Sequence, residues 1–157
     1  KMTKRDPTTK AFDFVAHEDV IDKEIARSFS ASFMSDTKWR KTFAVLDDVD
    51  AERIADREMQ VIWKFVGSPN DGVRYKLPSL DAMHDRFLDS RFWFGPMYYK
   101  EIEWLEFPKI GIPYRREQIP GAHFEQDIEK VRIALQAIGK FQIEESALGI
   151  KLYGHKA

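Results

Sequence analysis

Residues 59–77 read MQVIWKFVGSPNDGVRYKL, and their pattern predicts two antiparallel strands joined by a turn. In the first half, alternate side chains, among them Trp63 and Phe65, are apolar and fall on one face of an extended chain. The segment GSPNDG at 67–72 contains the glycine, proline and asparagine residues that favour a turn. Residues 73–77 can then return as the partner strand, so we predict a β-hairpin.

Helical spacing of apolar residues occurs on both sides of the hairpin. Apolar side chains recur at four-residue steps from Ile21 to Phe33, and a similar periodic run follows Ile128. The predicted helices are about 18–34, about 37–47 with Asp36 as its N-cap, a short helix opened by Pro78-Ser79 that carries Leu80, Met83 and Phe87, and 128–138 ended by Gly139.

Two further strands complete the predicted sheet. One is expected from Met97 to Phe107, with Glu101 and Glu103 on the same face, and another at the end of the chain around 148–153. The proline-rich run 108–121 predicts a long loop. We therefore expect an α+β fold in which an antiparallel sheet of about four to five strands packs helices mainly on one face.

The length predicts one domain. A chain of 157 residues with 43% hydrophobic and 32% charged residues can bury one substantial core. Within 1–157 we expect a flexible arm at 1–12, an N-terminal helical extension at 13–34 and a core at 35–157.

Composition excludes several classes of protein. The absence of cysteine excludes disulfides, thiolate nucleophiles and zinc sites with sulfur ligands. The 25 basic and 26 acidic residues give a formal net charge of -1, which argues against a protein that mainly coats phosphate backbone. No run reaches the length of a membrane helix and no signal-peptide segment is evident, so we expect a cytoplasmic protein.

No motif for catalysis, a cofactor or a metal stands out. Gly67 and Gly72 have the spacing of P-loop glycines, but Val73 and Arg74 replace the lysine and hydroxyl residue that should follow. The histidines stand singly, without a second histidine at ligand spacing: His17, His84, His123 and His155. We therefore expect no metal, no cofactor and no enzymatic activity.

Acidic residues are the candidate contact groups for a protein partner. The segment 47–58 is rich in carboxylates, which can imitate an acidic ligand for a basic surface and accelerate encounter with it. The predicted strand 97–107 adds two more carboxylates. The candidate partner-binding residues are Asp47, Asp48, Asp50, Glu52, Glu101 and Glu103.

Two other function classes remain as alternatives. The first is a small hydrolase-type enzyme in which Glu101 or Glu103 converges with His84 or His123 as acid and base. The second is a nucleic-acid-binding module that uses the basic arm at 1–10 and the Arg115-Arg116 loop, although the charge balance makes nucleic acid the less favoured partner.

Three segments resemble a family of short bacterial proteins, a domain of unknown function thought to include immunity proteins of polymorphic toxin systems. The family pattern reads N-T-K-W, I-E-W-[VL]-E and G-[FL]-R-[IL]-Y-G-Y. The matching segments here are DTKW at 36–39, IEWLE at 102–106 and GIKLYGH at 149–155. Asp36, Lys151 and His155 depart from the pattern, and the chain before residue 35 looks like an addition to it.

The resemblance implies a cytosolic α+β protein that neutralises a toxin. It carries over no catalytic residues. Joined with the acidic candidates, it leads to the hypothesis of an immunity-type protein that binds a cognate bacterial toxin and occludes its active or functional surface.

Overall fold

A computed structural model describes residues 13–52, 58–89, 96–112 and 123–157, and the fold is α+β. The helices are α1 (Phe14–Ser28), α2 (Asp36–Ala51) and α3 (Ile128–Ile138), and 3-10 turns span Leu80–Ala82 and Tyr99–Glu101. The strands are β1 (Ala31–Ser32), β2 (Gln60–Phe65), β3 (Val73–Lys76), β4 (Phe87–Leu88), β5 (Met97–Tyr98), β6 (Ile102–Pro108), β7 (Ile110–Gly111), β8 (Phe124–Glu125), β9 (Ile143–Glu145), β10 (Gly149–Tyr153) and β11 (His155–Lys156). None of the helices in these ranges combines the length and apolar character needed to cross a membrane.

The main sheet is antiparallel and has the strand order β3-β2-β6-β10-β9. The predicted hairpin is confirmed as β2–β3, with Trp63 opposite Val73. Its turn needs glycine at two positions, because Gly67 and Gly72 have positive φ angles of 77° and 123°. Central strand β6 pairs with β2 on one side and with β10 on the other.

Helices α2 and α3 cover one face of this sheet. Their buried side chains meet the inward face of the strands in one cluster: Trp39, Phe43, Leu46, Ile128, Val131, Leu135, Val61, Trp63, Leu105, Phe107, Ile150 and Leu152. The two helices run antiparallel, since Lys38 near the start of α2 reaches the Lys140 carbonyl beyond the end of α3. The alternation of β2 and the periodicity of α3 therefore predicted the layers correctly.

Helix boundaries in the first third of the chain differ from those predicted. Helix α1 starts at Phe14, capped by Asp13, and ends at Ser28, because the next residues form β1 against β11. The N-cap of α2 is Ser35, whose hydroxyl accepts a hydrogen bond from the Lys38 amide, so the prediction of Asp36 was wrong by one residue. Helix α2 also continues to Ala51 and carries three of the candidate aspartates with it.

The strand predicted for 97–107 is two strands separated by a 3-10 turn. Lys64 pairs with Trp104 and Phe65 with Ile102, so Glu103 is the extra residue of a β-bulge. Glu101 lies in the turn, and the prediction that Glu101 and Glu103 share a strand face is therefore wrong. The short helix after Ser79 ends at Ala82, and Phe87 lies in strand β4.

Segment 29–33 is joined to the end of the chain by a buried histidine. The Nε2–H group of His155 donates to the Lys100 carbonyl at 2.8 Å, and its Nδ1 accepts from the Ser32 hydroxyl at 2.6 Å. Burial lowers the pKa of His155, which favours the neutral ring that this pair of bonds requires. The β1–β11 pair is thus anchored by a side chain as well as by its backbone.

Candidate protein-binding surface

The C-terminal end of α2 carries Asp47, Asp48, Asp50 and Glu52 on or directly after the helix. The last turn contains no basic residue. Carboxylates at this position face the negative end of the helix dipole, which is electrostatically unfavourable. Asp47 and Asp48 form no ion pair or hydrogen bond with any part of the chain that the structure describes, and Asp48 is exposed. Their charge is therefore available to a partner.

The other two acids at this end have structural roles. The Asp50 carboxylate accepts a hydrogen bond from the Met59 amide at 2.9 Å and thereby ties the helix end to the start of β2. Glu52 lies 2.6 Å from Lys130 in the first turn of α3. Both salt-bridge partners are largely exposed, so this ion pair contributes little to stability. It does show that the end of α2 and the start of α3 form one continuous surface.

Next to this surface, a groove of about 600 Å³ lies between the β7–β8 pair and the first turn of α3. It is lined by Lys109, Ile110, Glu125, Gln126, Asp127, Ile128 and Glu129. Three of these residues are acidic and one is basic. Asp127 caps α3 through the Lys130 amide, and Glu129 is paired with Arg132.

Two glutamine side chains hold the groove to the main sheet. The Gln60 amide group donates to the Ile112 carbonyl at 2.6 Å and accepts from the Ile112 amide at 2.9 Å, as a neighbouring strand would. The side-chain amide of Gln126 donates to the backbone carbonyls of Gln60 and Pro108, and its oxygen accepts from the backbone N–H of Gln60. Gln60 is buried, so these bonds satisfy groups that water cannot reach.

Glu101 is buried and contacts the N-terminal helix α1. One carboxylate oxygen lies 3.0 Å from Nε2 of His17 in α1, and the other accepts from the Tyr98 amide at 2.9 Å. Only 8% of the residue is exposed, and both oxygens are engaged. Glu103 lies 3.6 Å from Lys64 and accepts a backbone hydrogen bond from Gly154 through its carbonyl.

The six candidate residues therefore divide into two groups at opposite ends of the sheet. Asp50 contacts Met59 at the start of β2, whereas the Glu101 carbonyl accepts from Val66 just after its end. The two points are seven residue steps apart along a nearly extended chain, which corresponds to roughly 20 Å. One small interface centred on the α2 end would leave Glu101 and Glu103 outside it.

The histidines named for the enzyme alternative do not pair with the two glutamates. His84 lies 4.0 Å from Asp89, and His123 is exposed beside β8. His17, which the alternative did not consider, is the histidine in contact with Glu101. No group of three or more His, Asp or Glu side chains within the described ranges is arranged to hold a metal ion. The 1–10 arm and Arg115-Arg116 fall outside those ranges, as does most of the 108–121 loop.

Helix α1 is attached to the core by both apolar and polar contacts. Ile21 is its buried residue, and Phe14 stacks on Tyr98 with ring centroids 3.9 Å apart. Glu18 contacts both Arg86 and Lys100. Hydrogen bonds from Arg86 and then from Lys100 lower the pKa of Glu18 to about 2. The attachment of α1 therefore depends on an ionised carboxylate.

We expect acid to weaken the attachment of α1 before the core unfolds. A carboxyl group whose pKa is lower in the folded state stabilises the fold fully above its ordinary pKa of 4.5, and this contribution is lost as the pH falls from there toward 2. Amide hydrogen exchange of α1 should accelerate over that range relative to exchange in β6. Glu18→Gln should show faster α1 exchange at neutral pH and a weaker acid dependence. Equal acid dependence in both proteins would contradict this role of Glu18.

Sequence reasoning identified the acidic end of α2 and missed the groove. The groove depends on contacts between Gln60 and Gln126, which are 66 residues apart, and no local sequence pattern predicts such a contact. The one available signal was the alternation of acids at 125, 127 and 129 around a helix start.

The segments that carry the family resemblance have clear structural positions. Trp39 and Ile102 are buried in the core, and Gly149 and Gly154 lie where strands approach too closely for a side chain. Comparison of the chain with protein-family models, with curated proteins and with solved structures finds no match in any of the three.

Proposed function

We propose that this chain is an immunity-type protein that binds a cognate bacterial toxin and neutralises it by occluding its active or functional surface. The observation that carries the proposal is the pair Asp47 and Asp48 at the end of α2. These carboxylates have no partner within the described residues and lie at the helix end where negative charge is least favourable. A binding role explains why acids occupy a position that costs stability.

The mechanism is steric and electrostatic. A toxin that acts on nucleic acid must present cationic groups to the phosphate backbone. Carboxylates on a rigid helix end can engage the same groups, accelerate encounter and exclude the substrate. The helix end is held in place by the bond from Met59 to Asp50 and by the packing of α2 on α3. The three segments that resemble a family thought to include immunity proteins are consistent with this role.

The test first asks whether the upstream neighbouring gene encodes a large secreted protein with a variable C-terminal domain, and then uses that domain as the toxin. The wild-type chain should co-purify with that domain and protect cells that express it. Asp47→Lys combined with Asp48→Lys should weaken binding by about 100-fold, mainly through a slower association rate, and reduce its salt dependence. Titration calorimetry and stopped-flow kinetics measure these effects.

The matched control is Asp19→Lys combined with Asp71→Lys. It makes the same change in net charge at exposed positions on α1 and in the β2–β3 turn. Affinity within about threefold of wild type is expected for this control, because dissolved salt screens exposed charges that lie far from the contact. Equal losses in both variants would refute a local contact at α2, and absence of binding by the wild-type chain would refute the proposed function.

A further inference from the structure

We propose that the groove between β7–β8 and α3 binds a protein segment in which Lys or Arg residues flank a large apolar side chain. The proposal deepens the proposed function, because the toxin would supply this segment. The groove has its own chemistry, however, and can be tested without the toxin. Three properties of the groove favour such a ligand: rigid walls, an apolar surface and an excess of acidic side chains.

Rigidity comes from the two glutamines. Gln126 forms part of the groove wall, and its amide group makes three hydrogen bonds to Gln60 and Pro108. Its backbone amide also donates to the Lys109 carbonyl at 2.7 Å. Both walls are thus fixed to the end of the main sheet before any ligand arrives. A preformed groove avoids the entropy cost of ordering its walls on binding.

The apolar wall is formed by isoleucines. Ile110 is 43% exposed although it lies in a strand, and the buried Ile128 also lines the groove. The next alternate residue, Ile112, is 40% exposed. Covering this isoleucine surface would remove apolar area from water, which favours binding of an apolar side chain. The volume of about 600 Å³ is within the range of ligand sites and accommodates one or two large side chains.

Charge determines what surrounds that apolar side chain. Glu125, Asp127 and Glu129 border the groove against one lysine, Lys109. Glu125 has no ion-pair partner within the described ranges, whereas Glu129 is paired with Arg132. The excess of carboxylate disfavours an anionic ligand despite the nearby helix N-terminus and favours Lys or Arg. The Lys130–Glu52 pair connects this border to the acidic end of α2, so the acidic surface is larger than a small molecule could cover.

The probe is a synthetic peptide of alternating arginine and leucine residues, added to the full ¹⁵N-labelled chain. Amide shifts should concentrate at 109–111 and 125–129. A peptide with glutamate in place of arginine should not bind, and one with serine in place of leucine should bind at least about tenfold more weakly. Shifts confined to other surfaces, or binding of the glutamate peptide with equal affinity, would overturn the proposal.

Two variants and two matched controls define the site. Ile110→Ser and Glu125→Lys should each weaken peptide binding by about tenfold. Ile133→Ser on the exposed face of α3 and Asp71→Lys in the β2–β3 turn make the same chemical changes elsewhere and should leave peptide affinity unchanged. All four positions are partly or largely exposed, so folding should survive, and the amide spectrum of each free variant checks this. Loss of affinity in the controls equal to that in the variants would contradict a binding site in the groove.

The toxin domain separates this inference from the proposed function. If the peptide binds in the groove and no toxin binds the chain, the proposed function is wrong and the groove stands. If the toxin binds and Ile110→Ser and Glu125→Lys leave its affinity unchanged, the groove is not part of that interface and this inference is wrong. If the two variants weaken the peptide and the toxin alike, both proposals are supported.

Discussion

Replacing Gly149 with alanine is expected to lower the free energy of unfolding by more than about 3 kcal/mol. Gly149 begins β10 opposite Pro108 of the central strand β6. A Cβ atom added there would lie 2.0 Å from the Phe107 carbonyl oxygen and 3.2 Å from the Pro108 Cα. These are backbone atoms inside the sheet, so relief requires a shift of one strand against the other. The ladder between β6 and β10 would be disturbed at its first pair.

Gly139→Ala is the matched control for this prediction. Its Cβ would lie 3.5 Å from the Phe141 ring, an ordinary contact, and its φ of 165° is extended backbone open to any residue. Both substitutions reduce the entropy of the unfolded chain equally, which by itself favours alanine by about 0.4–1 kcal/mol. Urea unfolding should therefore show a loss for Gly149→Ala and little change for Gly139→Ala. Equal stability of the two variants would show that the β6–β10 approach can relax.

The elements predicted correctly are those whose local pattern agrees with their tertiary environment. β2 alternates because one of its faces packs on α2 and α3, and α3 has an apolar stripe for the same reason. The turn at 67–72 contains glycine at both positions that have positive φ. At these places burial of one face gives the sequence a hydrophobic periodicity, and that periodicity predicts the element.

The elements missed are those set by long-range pairing. β1 and β11 are two residues each and exist because distant ends of the chain meet through Ser32, His155 and the backbone. The apolar steps that suggested a helix to residue 34 continue into this strand, where pairing overrides helical spacing. The break before β6 also depends on tertiary contacts, since Glu101 turns away from the sheet toward His17.

The structural positions of the candidate residues were predictable to a similar extent. A run of acids after an amphipathic segment indicates a charged helix end, and Asp47 and Asp48 lie on one. Glu101 was grouped with them because carboxylates look alike in a sequence, although burial and a histidine partner give it a different role. The groove was not predicted because it depends on the contacts of Gln60. In the sequence, Gln60 looks like a polar strand residue that faces solvent, whereas its side chain is buried and bonded to Ile112.

Trp39→Ala is expected to cost about 3–5 kcal/mol of unfolding free energy. Trp39 is buried, and its ring stacks on Phe43, which stacks in turn on Trp63, with centroid distances of 5.6 Å at both steps. This column joins α2 to β2 through the centre of the core. Truncation removes the ring and leaves a cavity that the flanking helix and strands cannot fill without moving. Trp39→Phe keeps an aromatic ring in the column and should lose less than half as much.

Combining Trp39→Ala with Gly154→Ala tests how the core and the strands share this space. An alanine Cβ at position 154 would lie 3.2 Å from the Trp39 ring and 2.4 Å from the Ile102 carbonyl oxygen. Removing the ring relieves the first contact and leaves the second, which is with backbone. The two losses should therefore remain close to additive, with a coupling energy below about 1 kcal/mol in urea unfolding. A double variant as stable as Trp39→Ala alone would show that Gly154 is required by the Trp39 ring and not by the approach of the chain to β6.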